Sequence, residues 1–144
     1  MAANSDPIFT RVGDVSSNGT TGMAATITTA TGDYTGASAN HQLVFTADAT
    51  NGGYVKRLRF TAIGTNTASV ARIYINNGSA NTTASNNSIF GQVSLPATTA
   101  INTAATVEID YPMELAINPG FRIYVGVGTT VAAGWVCVAV GGKY

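Results

Sequence analysis

Seven acidic residues, one histidine and one cysteine are the first side chains to weigh for proton transfer or nucleophilic attack in this chain of 144 residues. Two of the acids, Glu108 and Asp110, lie two apart in a stretch where Val107, Ile109 and Tyr111 alternate with Thr106, Glu108 and Asp110. In a strand such residues share a face. Two carboxylates on one face are the least a glycoside hydrolase requires, and Glu114 stands nearby. An active site, however, sets an acid and a base in surroundings that push their pKa values apart, and nothing else here supplies such surroundings. Arg57, Arg59 and Arg72 on neighbouring strands offer the ordinary alternative, cross-strand ion pairs contributing from tenths of a kcal/mol to about 1 kcal/mol. Structural pairing is the expectation.

His41 has no cysteine beside it and no HxH or HExxH companion, so no metal site is legible. Cys137 sits between Val136 and Val138 with no basic neighbour to lower its pKa, which suits a small buried hydrophobe rather than a nucleophile. A single cysteine also excludes an intrachain disulfide framework and a multi-cysteine zinc site. Gly126-Val127-Gly128 and Gly141-Gly142 are not phosphate loops, because no helix follows them. The sequence thus assigns no catalytic residue, no cofactor and no metal. Lys56, Arg57 and Arg59 form the one basic cluster. Arg57 and Arg59 point to one face, as candidate interface charges for an acidic patch on a partner, and Lys56 to the other. Three cations are too few for a nucleic-acid footprint. Trp135, the sole tryptophan, fits a core or an interface better than a sugar-stacking platform. Asn18, Asn77, Asn81 and Asn86 match N-x-[ST] by composition and imply no glycosylation.

The elements that must position these residues are strands. Residues 23–28, 42–47, 54–63, 70–75, 88–95 and 106–111 read as strands, with Pro96 and Pro112 as stops. Residues 31–40 and 76–87 read as loops. Asn51-Gly52-Gly53 demands positive φ and reads as a hairpin joining the strands on either side. Near the end, Asn118-Pro119-Gly120 precedes alternating Phe121, Ile123, Val125 and Val127. A turn over 129–134 then leads to the apolar run 135–140, a terminal strand–turn–strand unit. No window holds a 3.6-residue period. Eight to nine strands at intervals of roughly 8 to 12 residues predict an all-β antiparallel sandwich, jelly-roll-like, with an immunoglobulin-like sandwich as runner-up. Leu58, Phe60, Val107, Ile109, Ile123 and Val125 are the predicted inward set.

Charged residues are only 10% of the chain and the formal net charge is zero, against roughly 25% charged in an ordinary soluble domain. A weakly charged, neutral surface associates readily and does not recruit nucleic acid, which needs clustered positive charge. No apolar run approaches the roughly 20 residues of a bilayer span, and the first residues lack the apolar core of a secretory signal. Residues 1–22 read as an extended amino-terminal arm before a sandwich domain at 23–144. Within that arm Ile8, Phe9, Arg11 and Val12 are candidate anchors on a partner surface, the other reading being an edge strand that closes the chain's own core.

The closing residues carry a resemblance. Leu115-Ala116-Ile117-Asn118-Pro119-Gly120, Ile123-Tyr124-Val125-Gly126-Val127-Gly128, Ala132-Ala133-Gly134-Trp135 and Gly141-Gly142-Lys143-Tyr144 together resemble the ending of small structural proteins of tailed bacteriophages. The similarity covers about thirty residues by our count, set after a compatible strand pattern. It implies a virion component: a capsid decoration or cement protein, bound to the major capsid protein and to copies of itself as a homotrimer, or a fibre or tail protein. It implies no catalytic residue. The expected function is therefore that of a non-enzymatic virion structural protein on the capsid exterior, made in the host cytoplasm, with neither nucleic acid nor membrane as partner. The alternative is a receptor- or glycan-binding domain of a phage fibre or tail protein, suggested by Trp135, Tyr34, Tyr54 and the long polar loops.

Overall fold

A computed structural model describes residues 12–16, as backbone, and 26–144. Nine strands form two antiparallel sheets, and no α-helix occurs among the described residues. They are β1 (Val12–Ser16), β2 (Thr26–Ile27), β3 (Gln42–Thr46), β4 (Gly53–Ala62), β5 (Ser69–Asn76), β6 (Asn87–Leu95), β7 (Glu108–Ile117), β8 (Arg122–Val127) and β9 (Trp135–Lys143). The five-stranded sheet runs β1-β9-β4-β7, with β2 continuing the β1 edge of β9; the four-stranded sheet runs β3-β8-β5-β6.

The pairs β1–β9, β3–β8, β4–β7 and β5–β6 nest from the outside of the chain inward. One ribbon folded on itself and wrapped into two sheets gives this order, and that wrapping is a jelly roll. The predicted all-β sandwich is therefore the fold, with nine strands among the described residues. Turn chemistry misleads about pairing. Asn51-Gly52-Gly53 is a tight turn, with Gly52 at φ 81°, yet β3 and β4 belong to different sheets. The predicted hairpin is a crossing between layers. The same holds for the terminal unit, since β7, β8 and β9 alternate between sheets. Among the sequence-adjacent strands of the sandwich, β5 and β6 form the hairpin, through the long polar loop that composition predicted.

The core lies between the layers. Leu58, Phe60, Ile123 and Val125 are fully buried, as the period-two pattern requires, each contributing about 1.5–3 kcal/mol by leaving water. Ile109 packs half-buried against them, whereas Val107 precedes β7 and is 37% exposed. Trp135 and Cys137 are core residues. Three register shifts break simple alternation. In β3 the extra residue is Val44, so Val44 and Phe45 are both buried. In β4 it is Lys56, between buried Val55 and Leu58. Lys56 is exposed rather than turned to the face opposite the arginines, because that face is the core. In β6 it is Phe90. A bulge inserts one residue against a continuous partner and re-aims its side chain.

Pro112 does not end its strand. β7 continues to Ile117, with Pro112 opposite Arg57. β7 is an edge strand, where a missing N–H is tolerated. Glu114, two residues on, takes φ 46°, so the edge is irregular where β4 bulges. Of the arm at 1–22, Val12–Ser16 forms edge strand β1 on β9. Residues 1–11 lie outside the described residues, as do 23–25 of the strand predicted at 23–28, of which β2 is the described part. A buried asparagine ties three loops at one end. The Asn66 amide donates to the carbonyls of Gly64 and Gly134 and to Thr98 Oγ1, and its Oδ1 accepts from the N–H groups of Ala133 and Gly134.

Candidate functional site

Arg57 and Arg59 stand on the outer face of β4, and the chain supplies their counter-ion. Asp110 on β7 pairs with Arg59 through two bonds, 2.8 Å from Nε to Oδ1 and 3.1 Å from Nη2 to Oδ2. Its Oδ2 lies 3.8 Å from Arg57 Nη1. The hydrogen bond from Arg59 is the main cause that holds Asp110 below the usual carboxylate range. The same bond raises Arg59. Structural pairing was the expectation for Asp110, and register places it directly opposite Arg59. Glu108 is exposed on the same strand, and Glu114 accepts a hydrogen bond from the Tyr54 hydroxyl, which raises the tyrosine's pKa.

Ile8, Phe9 and Arg11 lie outside the described residues. Val12 is the first residue of β1, its backbone opposite Lys143. Val12 and the candidate charges therefore stand in the same sheet, Val12 in the edge strand β1 and the arginines two strands inward on β4.

His41 packs under the loop that precedes β3, on the outer face of the four-stranded sheet. Its Nδ1 lies 2.8 Å from the Gly36 carbonyl. A carbonyl only accepts, so Nδ1 carries the proton and Nε2 is the lone-pair nitrogen. Nε2 is buried and has no hydrogen-bond partner among the described residues. The ring lies 4.6 Å from that of Tyr74, whose hydroxyl donates to the Asp33 carbonyl at 2.9 Å. Arg72 is buried beside them, with its guanidinium carbon 4.3 Å from the Tyr34 ring centroid. Burial is the largest influence on His41 and lowers its pKa. Gly126 on β8 makes the room, since a Cβ there would collide with His41 and with Thr31 Oγ1. This cluster locks the loop to the sheet.

Cys137 is fully buried, and burial pushes its thiol far up, away from the reactive thiolate. Among the described residues no group of three or more His, Cys, Asp or Glu is arranged to hold a metal ion, and no helix is long and apolar enough to cross a membrane. The asparagines of the β5–β6 loop serve as staples. The Asn76 amide donates to Asn87 Oδ1 at 2.8 Å, the Asn87 amide to the Asn81 carbonyl at 2.7 Å, and the Asn81 amide to the Ser38 carbonyl at 2.9 Å.

The feature that sequence reasoning missed is a groove. Among the described residues β6 and β7 are the outermost strands of the two sheets on one side of the sandwich. Between them opens a cavity of about 210 Å³ lined by Ile75, Phe90, Leu115, Ala116, Ile117, Asn118 and Phe121. Phe90 is 40% exposed and Ile89 39%. β6 carries no charged residue in its nine positions. An edge strand is normally blunted by charge, as β7 is by Glu108, Asp110 and Glu114. The groove thus has one guarded bank and one open, apolar bank. The sequence signal was the pair Ile89-Phe90, where a strand with one buried face should carry one apolar residue rather than two. The chain matches no protein-family model, no curated protein and no solved structure.

Proposed function

We propose that this protein is a non-enzymatic structural component of a phage virion, a decoration protein on the capsid exterior that bridges subunits of the major capsid protein, with its own copies grouped as a homotrimer. The observation that carries the reading is the open bank of the groove. An uncharged edge strand with two exposed apolar side chains next to an apolar cavity is a surface for adhesion. The zero net charge and the few charged residues support it, as does the resemblance of the last thirty or so residues to phage structural proteins. Many weak contacts repeated by symmetry then give large avidity without one strong site. Jelly rolls serve in viral capsids and in lectins alike, so the fold alone does not choose between them.

A glycan- or receptor-binding module of a fibre or tail is the second reading. Tyr34, 61% exposed, favours it, while Trp135, fully buried, no longer does. The deciding experiment incubates the purified chain with empty capsids of the phage that encodes it and follows co-sedimentation and heat resistance of the shell. Saturable binding with a raised rupture temperature is expected. Capsids that pellet without the chain, together with glycan binding lost on Tyr34→Ala, would replace the decoration reading with the second.

A further inference from the structure

We infer that residues 32–41 form a proton-operated latch: charging His41 lifts this loop from the outer face of the four-stranded sheet and uncovers Arg72 and Tyr74 while the sandwich stays folded. The inference rests on the fold and stands apart from the virion reading. Its first support is how the loop is fastened. The bridge Ala30–Val127 precedes it and β3 follows it, but none of residues 32–41 joins a sheet. Among the described residues, two hydrogen bonds tie it to other elements. The Tyr74 hydroxyl donates to the Asp33 carbonyl, and the Asn81 amide to the Ser38 carbonyl, both at 2.9 Å. A segment held by side chains rather than by a strand ladder opens at lower cost than the fold as a whole.

The second support is what the closed loop buries. Six buried side-chain nitrogen or oxygen atoms lack a hydrogen-bond partner among the described residues, and half of them belong to this cluster: His41 Nε2 and the Nε and Nη1 of Arg72. A guanidinium is always charged, and a buried charge or polar group without a partner is costly where the local dielectric is low. Neither described ion pair includes Arg72. Its guanidinium rests on the Tyr34 ring instead. The closed loop therefore carries a cost that lifting relieves, because water then reaches these atoms.

The third support is how a proton acts on the loop. The His41 ring fills the space above Gly126, and its Nδ1 is tied to the carbonyl of Gly36 in the same loop. Gly36 in turn lies so close to Tyr74 that a Cβ there would stand 2.8 Å from the ring. Ring and loop thus rise together. Charging the ring places an N–H on Nε2, which faces no acceptor among the described residues. Asp33 and Tyr34 of the loop, Arg72 and Tyr74 of β5, and Gly126 and Tyr124 on the outer face of β8 surround this position. Of the charges, Asp33 favours the imidazolium and Arg72 opposes it, but burial outweighs both and keeps the closed ring neutral to lower pH. The lifted ring is solvated and titrates near its ordinary value of about 6.5. The open form therefore binds the proton first, and acid favours opening.

The test is hydroxyl-radical labelling of the wild-type protein from about pH 8 to about pH 5, a range that spans the ordinary histidine value. Tyr74 and Trp135 are both fully buried, and Tyr34, 61% exposed, calibrates the radical dose. Tyr74 labelling is expected to rise as pH falls, by up to about tenfold per pH unit, the limit for one linked proton. Trp135 labelling is expected to stay constant, because the core does not open. In His41→Gln the rise should disappear. Tyr74 labelling that stays flat while the His41 ring titrates overturns the inference. So does Trp135 labelling that rises in step with Tyr74, since that is unfolding of the whole sandwich. A rise that survives His41→Gln gives the proton to another group and overturns it equally. The wild-type series decides by itself if the variant does not fold.

Discussion

Arg59 and Asp110 face each other across β4 and β7 and grip by two parallel hydrogen bonds of 2.8 and 3.1 Å, with Arg57 3.8 Å from the same carboxylate. One acid thus serves two cations, and the pair of candidate interface charges presents one net positive charge rather than two. Both side chains of the close pair are about two-fifths exposed, at 40% and 42%. Water and salt screen such a pair, so it orients the arginines more than it stabilises the fold.

Asp110→Asn should therefore leave the thermal midpoint at neutral pH close to that of wild type. The sign with pH follows from the cause. Arg59 holds the folded carboxylate below its ordinary value. Whatever stability the pair contributes is present above the unfolded pKa of about 3.9 and is lost as pH falls through the lower folded value. Melting curves of wild type and variant should differ slightly at neutral pH and converge in strong acid. A large neutral-pH difference would mean that the ion pair is a principal brace of β4 on β7.

Gly141 supplies a sharper structural test. It lies opposite Val55, beside the Lys56 bulge. A Cβ there would collide with the Tyr54 carbonyl oxygen and stand 2.9 Å from Val55 Cα, both backbone atoms that cannot rotate away. Gly141→Ala must push β9 off β4 and should cost on the order of 1–3 kcal/mol or more. Gly120, at φ 72° with nothing within 4 Å of its Cβ position, bears only the left-handed backbone penalty, about 1–2 kcal/mol. Urea unfolding should rank Gly141→Ala as the more destabilised. Equal midpoints would show that parting β9 from β4 costs no more than the backbone penalty at Gly120.

The comparison of sequence with structure divides along locality. The alternation of Leu58 with Phe60, of Ile123 with Val125 and of Ile109 with Tyr111 is written in adjacent residues, and the core follows it. Pairing is not local. β1 finds β9 near the far end of the chain, and Asn51-Gly52-Gly53 makes the same tight turn whether the next strand stays in its sheet or leaves it. The extra residues Val44, Lys56 and Phe90 are equally hidden, because a bulge is decided by the partner strand's register. The groove combines both kinds. It exists because β6 and β7, from different sheets, end up as edges on one side, and because the β6 shift falls at Phe90. Asp110 opposite Arg59 was legible because charge on a strand's outer face needs only a neighbour of opposite sign. The orphaned Nε2 of His41 was not, since it depends on a loop folding back over β8.

His41 makes that loop sensitive to acid. Its Nδ1–H donates to the Gly36 carbonyl, and its Nε2 is buried with no partner among the described residues. Protonation would place a second N–H in that dry position, with Arg72 raising the cost further. Asp33 and the Gly36 carbonyl favour the charged form, but burial is the largest influence and the net direction is down. The folded state therefore takes up this proton at a lower pH than the unfolded chain does. Stability rises with pH wherever the unfolded state binds more protons. The contribution of neutral His41 is thus complete above the unfolded value of about 6.5, declines as pH falls below it, and levels off once the folded ring is also charged. Denaturant midpoints measured across this range should fall towards acid in wild type. In His41→Gln, which has no titrating ring, that part of the slope should vanish while the plateau above neutrality sits lower. Because Asp33, Tyr34 and Tyr74 share the cluster, Tyr74→Phe is the control: it removes the bond to the Asp33 carbonyl but keeps the histidine, so it should lower stability and retain the slope. A slope that survives His41→Gln would assign the acid sensitivity to another group.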